Sequence, residues 1–105
     1  MFGFLKSLFG GGSLVDLAEI MASKPMIVDV RTPGEFSQGH AKGAINIPLD
    51  KINSNLQKFK NATAIVVCCR SGNRSGQAKA ILESSGIAHV YNGGTWQNVA
   101  QYSNK

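Results

Sequence analysis

The sequence is short of the residues from which most enzyme sites are built. Its 105 residues include two cysteines, two histidines and six acidic side chains. The cysteines are neighbours, Cys68 and Cys69. Adjacent residues of a strand point to opposite faces, which argues against an ordinary disulfide between them. His40 and His89 stand far apart, so no spaced zinc motif exists and no metal or cofactor is expected. No apolar run is long enough to cross a bilayer. The opening stretch MFGFLKSLF has neither the basic lead nor the cleavage site of an export signal. Lys and Arg outnumber the acids 11 to 6, giving a formal charge of +5, yet no two basic residues are adjacent. The one-sided cluster of a nucleic-acid binder is therefore missing, while a small anionic substrate remains compatible with the excess. Internal repeats are absent, and Gly10-Gly11-Gly12 is the one low-complexity stretch.

A hydrophobic fraction of 43% is enough for one packed interior, and this length leaves no room for a second. Residues 1–12 read as an apolar arm and glycine linker, carrying Phe2, Phe4, Leu5, Leu8 and Phe9. Residues 13–105 read as the domain. The reduced, adjacent cysteines suit a reducing compartment, and a cytoplasmic location is expected.

Strand and helix signals alternate along the domain. Ser13 is positioned to cap a helix from Leu14 to Met21, with Asp16 completing a capping box. Met26 to Val30 is a β-branched run typical of a buried strand. In Thr32-Pro33-Gly34-Glu35, Thr32 suits an N-cap, Pro33 the first helical position, and Glu35 the return bond of the cap. A second strand is expected at Ala44 to Ile47, then a helical segment from Asp50 with Ile52, Leu56 and Phe59 on one face. Ala64 to Cys68 is the most apolar strand candidate; residues 69–74 read as a loop and Ser75 to Ser85 as a helix closed by Gly86. Ala88 to Tyr91 gives a last strand, Asn92-Gly93-Gly94 a turn, and Thr95 to Tyr102 a final helix. This alternation predicts an α/β fold, a mainly parallel sheet with helices on both faces.

The chemistry concentrates where the third strand meets its helix, IVVCCRSGNRSGQAKA (Ile65 to Ala80). Ligands of open parallel sheets bind beyond the carboxyl ends of the strands. A tight glycine-containing loop there turns N–H groups inward, and the helix N-terminus adds about half a positive charge. Arg70 and Arg74 add full charges. A free thiol titrates near ~8.5, and such surroundings lower it, so Cys69 can act as a nucleophile without a dedicated base. Cys68, within the apolar strand, reads as a small buried hydrophobe.

Three blocks resemble the single-domain rhodaneses, a sulfurtransferase family, from about Ser13 to Tyr102. IVDVRTPGEFSQGHAKGAINIP (Ile27 to Pro48) is similar to the family's leading signature. IVVCCRSGNRS (Ile65 to Ser75) is similar to its active-site loop, with Cys69 at the sulfur-carrying position. NGGTWQ (Asn92 to Gln97) resembles its closing glycine pair and tryptophan, here with Trp96 two positions after Gly94. The resemblance implies a rhodanese-like domain in which Cys69 takes sulfane sulfur from a donor such as thiosulfate. It would hold that sulfur as a persulfide against the loop of Arg70, Ser71, Gly72, Asn73 and Arg74. A thiophilic acceptor, whether cyanide, a thiol or a partner protein, would then remove it. Arg70 is the candidate for binding the anionic donor. Arg74 has two readings, facing substrate or pairing with Asp29 or Glu35 to brace the loop. Asp29, Arg31, Glu35 and Ser75 are expected to support the loop, His40 to be a scaffold hydrogen bonder, and Trp96 a packing residue.

Two other readings stand beside this one. Counted from Cys68 instead of Cys69, five residues rather than four precede Arg74, and Ser75 follows it, which reproduces the cysteine-phosphatase signature. Val67 occupies the place of the histidine that usually precedes a phosphatase nucleophile, and no general acid is evident. The other alternative is a sulfur-relay or binding module with little free thiosulfate turnover.

Overall fold

The β-branched run from Met26 forms a strand buried from Ile27 onward, with Ile27 and Val28 in two opposite apolar layers. β1 (Met26–Asp29) lies in a four-stranded sheet with β2 (Ile45–Asn46), β3 (Ile65–Cys69) and β4 (Val90–Thr95). The order is β2-β1-β3-β4, and all pairs are parallel. The computed structural model describes residues 16–103. The expected arm of residues 1–12 and the Ser13 cap lie outside the described residues.

Among the described residues four α-helices flank the sheet: α1 (Leu17–Ala22), α2 (Pro33–Ser37), α3 (Asn73–Ser84) and α4 (Trp96–Ser103). One apolar layer holds Val28, Ile65, Val67 and Cys69 against Ala78 and Leu82 of α3 and against Ile52 and Phe59. The other holds Ile27, Val66 and Cys68 against Val99 and Ala100 of α4, with Leu17 and Ile20 of α1 packed on it. The period-two pattern of β3 thus sends Cys68 and Cys69 to opposite sides of the sheet. Among the described residues, no helix is long and apolar enough to cross a membrane.

Several elements differ from the sequence reading. The helix expected from Leu14 starts at Leu17, because Asp16 is extended (φ −70°, ψ 111°) and its carboxylate accepts from Ala18 N–H. The segment after Pro48 forms two short 3₁₀ pieces, Leu49–Lys51 and Asn53–Phe59. There Ser54 Oγ and Asn55 Nδ2 both donate to the Lys51 carbonyl, at 3.1 and 2.8 Å, and so compete with regular helical bonding. Asn92-Gly93-Gly94 is part of β4 rather than a turn. The ladder passes from Val67↔Asn92 to Cys68↔Gly94, so Gly93 is an extra residue in a bulge. A Cβ on Gly93 would stand 2.5 Å from Val99 Cγ2 and 2.8 Å from Val66 Cγ1, so only glycine lets α4 pack this closely. β3 also runs one residue further than expected, taking in Cys69 opposite Thr95.

The chain leaves β1 toward β2 at one edge and leaves β3 toward β4 at the other. The carboxyl ends of β1 and β3 are therefore the topological switch point, where the loops on either side diverge and leave a crevice.

Candidate active site

The predicted site residues lie along the two segments that cross this switch point, from β1 into α2 and from β3 into α3. The sequence DVRTPGEF leaves β1 by placing Asp29 inward and turning at once into α2. Thr32 Oγ1 accepts from Glu35 N–H, and Glu35 Oε1 accepts from Thr32 N–H at 3.0 Å, which is the capping box read from the sequence. Glu35 thereby faces the other loop, where its carboxylate receives both Arg74 nitrogens, at 2.8 and 3.1 Å. The Arg74 pair and the Thr32 bonds hold the Glu35 carboxyl down at about 2. Of the two readings for Arg74, its geometry is that of a brace tying the nucleophile loop to α2.

Behind this brace lies a buried ion pair. Arg31 Nε donates to both Asp29 oxygens, at 2.9 and 3.1 Å, and Nη2 donates to Oδ2 at 2.7 Å. The same guanidinium donates to the carbonyls of Glu35 and Gly39, at 3.2 and 2.7 Å, and stacks 5.1 Å from the centre of the Trp96 ring. Arg31 thus joins β1, α2, the loop after α2 and α4. Asn46 Nδ2, bonded to the carbonyls of Asp29 and Arg31 at 2.9 Å each, closes the β2 side.

Cys69 ends β3 with its sulfur inside the turn of the next loop. That turn needs Gly72, whose φ of +95° is left-handed and rarely adopted by other residues. Gly72 also caps α3, whose N-terminus faces the sulfur. Gly72 N–H donates to Cys69 Sγ at 3.0 Å and Ser75 N–H at 3.3 Å, while the thiol itself lies 3.4 Å from Ser75 Oγ. Burial pushes the Cys69 thiol up, but the Ser75 side chain and the N–H groups of Ser75, Ser71 and Gly72 outweigh it, leaving the thiol below its ordinary value. Cys68 lies under the opposite face, where burial above all pushes its thiol to about 12. Two adjacent, fully buried cysteines therefore differ in surroundings: backbone N–H groups face the sulfur of Cys69, and apolar core packs around Cys68.

The remaining loop residues divide by what they touch. Ser71 and Asn73 are exposed, joined to each other by Asn73 N–H on Ser71 Oγ at 3.5 Å. Arg70 is exposed and, among the described residues, makes no hydrogen bond or ion pair, in contrast to Arg74. Arg70 stands on the wall of a cleft of about 360 Å³, with Arg31, Glu35, Gln38, Gly39, Trp96 and Gln97 around it. His40 is exposed, stacked 3.8 Å from Phe36, with Nδ1 2.9 Å from the Phe36 carbonyl. It stays outside the cleft.

Sequence reasoning missed Asn92, Gln38 and Gln97. Asn92 was hidden by the Asn-Gly-Gly turn signal, though a polar residue directly after the strand run Val90-Tyr91 was a usable hint. The two glutamines reach the cleft only through the fold, and nothing local marks them.

A comparison with protein families matches residues 13–98 to the family described as the rhodanese-like domain. The chain is 42% identical over 76 residues to thiosulfate sulfurtransferase PspE of Escherichia coli, covering 70% of this chain and 72% of that protein. It is 37% identical over 67 residues to a sulfurtransferase of Allochromatium vinosum, covering 64% of this chain and 63% of that one. Among solved structures, a rhodanese with anions from E. coli superposes with a TM-score of 0.65 at 37% identity, covering 71% of this chain and 91% of that one.

Proposed function

Since this chain belongs to the rhodanese-like domain family, we propose that it carries sulfane sulfur as a persulfide on Cys69. It is a sulfurtransferase of the thiosulfate type, as its relatives' names and its fold agree. The observation that supports Cys69 as the carrier is the convergence of the Gly72 and Ser75 N–H groups on its sulfur.

The reaction follows from that geometry in two displacements. The Cys69 thiolate attacks the outer sulfur of thiosulfate, a sulfur–sulfur bond forms, and the bond to the sulfonate sulfur breaks. Its electron pair leaves with sulfite, so no proton is needed and no general acid is required. The charge of the thiolate reappears on the outer sulfur of Cys69–S–S⁻. Inward N–H groups and the α3 N-terminus offer that charge a preorganised site. An acceptor nucleophile then takes the outer sulfur and returns the Cys69 thiolate. Arg70, exposed on the cleft wall, is the residue for gripping the anionic donor. Arg74, held by Glu35, keeps the loop closed.

The cleft beside the loop, with Arg70 and Trp96 on its wall, suits an acceptor with a larger body, including a cysteine presented by a partner protein. A thiolate nucleophile also needs reduced surroundings, which supports a cytoplasmic location; cell fractionation with an antibody would test it. The reading from Cys68 has no support in the geometry, since that thiol faces the opposite core layer.

Thiocyanate release from thiosulfate and cyanide tests the proposal. Wild type and Cys68→Ala should turn over, and Cys69→Ser should not. Turnover retained in Cys69→Ser, or phosphate release from an aryl phosphate, would contradict it.

A further inference from the structure

We propose that Asn92 is the positioning residue of the nucleophile loop, holding in place from β4 the two residues whose N–H groups serve the Cys69 sulfur. Its side chain makes one contact to each. Nδ2 donates to the Gly72 carbonyl at 3.2 Å, and Oδ1 accepts from Ser75 Oγ at 2.7 Å. Oδ1 also accepts from Gly94 N–H at 2.9 Å, which fixes the amide against its own strand.

The loop has few other anchors at this point. Gly72 is the freest residue of the turn, being a left-handed glycine. The Gly72 carbonyl caps Gly76 N–H at 3.1 Å, a bond within its own helix that leaves its position relative to the sheet undetermined. The Asn92 bond supplies that reference. Ser75 is fully buried, and its hydroxyl stands between Asn92 Oδ1 at 2.7 Å and the Cys69 sulfur at 3.4 Å. Asn92 therefore sets both the place of Gly72 and the rotamer of Ser75. The Gly93 bulge between Asn92 and Gly94 is what brings the amide up to the loop in this register.

The charged and titratable groups around Cys69 are Arg70 and Arg74 on its own loop, Cys68 on β3, Asp29 and Arg31 at the end of β1, and Glu35 on α2. The side-chain hydrogen bonds of Asn92 go to Gly72, Ser75 and Gly94 and to none of these. Its replacement by a neutral residue thus reads the donors of the sulfur and leaves those charges in place.

The inference rests on Cys69 being the nucleophile, and its test reads the thiolate without a sulfur donor. Iodoacetamide alkylation is followed against pH, with the adduct located on Cys69 by peptide mass. Wild type is compared with Asn92→Ala, Ser75→Ala, the double variant, and Asn92→Thr, which removes the amide while keeping a good strand former. Asn92→Ala and Asn92→Thr should raise the midpoint by about one unit, so that alkylation below it slows about tenfold. The double variant should lose less than the sum of the single losses, because both act on the same donors. An unmoved midpoint in a folded Asn92→Ala or Asn92→Thr protein, or additive losses, would overturn the proposal. Failure of wild-type sulfur uptake with the alkylation pattern intact would count against thiosulfate as donor and leave the role of Asn92 standing.

Discussion

Removing the Arg31 guanidinium while keeping Asp29 is the harshest single test of how the site is supported. In Arg31→Met the Asp29 side chain, fully buried, loses its Nε and Nη2 partners and keeps the Arg31 backbone N–H at 3.0 Å. Breaking a buried pair in this way costs about 3–5 kcal/mol, since it leaves an uncompensated charge. Loss of the Trp96 contact adds about 0.5–1 kcal/mol. Against a total of roughly 5–15 kcal/mol for such a domain, the variant stands near the edge of folding. Replacing both partners, Asp29→Leu with Arg31→Met, removes the stranded charge and should recover all but about 1–2 kcal/mol, the remainder reflecting the backbone N–H and carbonyls left without partners. Urea unfolding at 25 °C, followed by far-ultraviolet circular dichroism, measures all three proteins. A loss below about 1 kcal/mol in the single variant would refute the reasoning, as would a double variant no more stable than the single one.

Three further outcomes follow from named contacts. Gly93→Ala should cost about 1–3 kcal/mol in the same urea experiment, because its Cβ would overlap Val99 and Val66; a neutral effect would mean α4 can shift freely. Glu35, held at about 2, contributes stability that is present above its ordinary 4.5 and lost as pH falls toward 2. The stability gap between wild type and Glu35→Gln should accordingly stay constant above pH ~5 and close between pH ~4.5 and ~2; a gap that persists at pH ~2 would contradict the pairing. Arg70→Ala should raise KM for thiosulfate about tenfold with kcat little changed, the loss of one charge-assisted contact to an anion. A fall in kcat at constant KM would instead place Arg70 with the loop's braces.

The parts of this molecule legible in the sequence are those set by neighbours along the chain. The period of two in Ile65 to Cys69 placed the cysteines on opposite faces, and Thr32-Pro33-Gly34-Glu35 announced its own cap. The parts misread are those where a distant element decides. Asn92-Gly93-Gly94 carries every local signal of a turn, yet pairing with β3 and the approach of Val99 make it a bulged strand. Asp16, expected inside the first turn, is instead the N-cap of Leu17–Ala22, with its carboxylate on Ala18 N–H. In the site, the thiol and its glycine loop were readable, since six residues contain them. The choice between two partners for Arg74 was not, because Glu35 lies 39 residues away.

The most direct test of Cys69 as sulfur carrier is the intact mass of the reduced protein after incubation with thiosulfate, beside Cys69→Ser and Cys68→Ala. Wild type and Cys68→Ala should gain the mass of one sulfur atom and lose it again on addition of cyanide. Sulfur gained by Cys69→Ser, or lost with Cys68→Ala while Cys69 remains, would contradict the account.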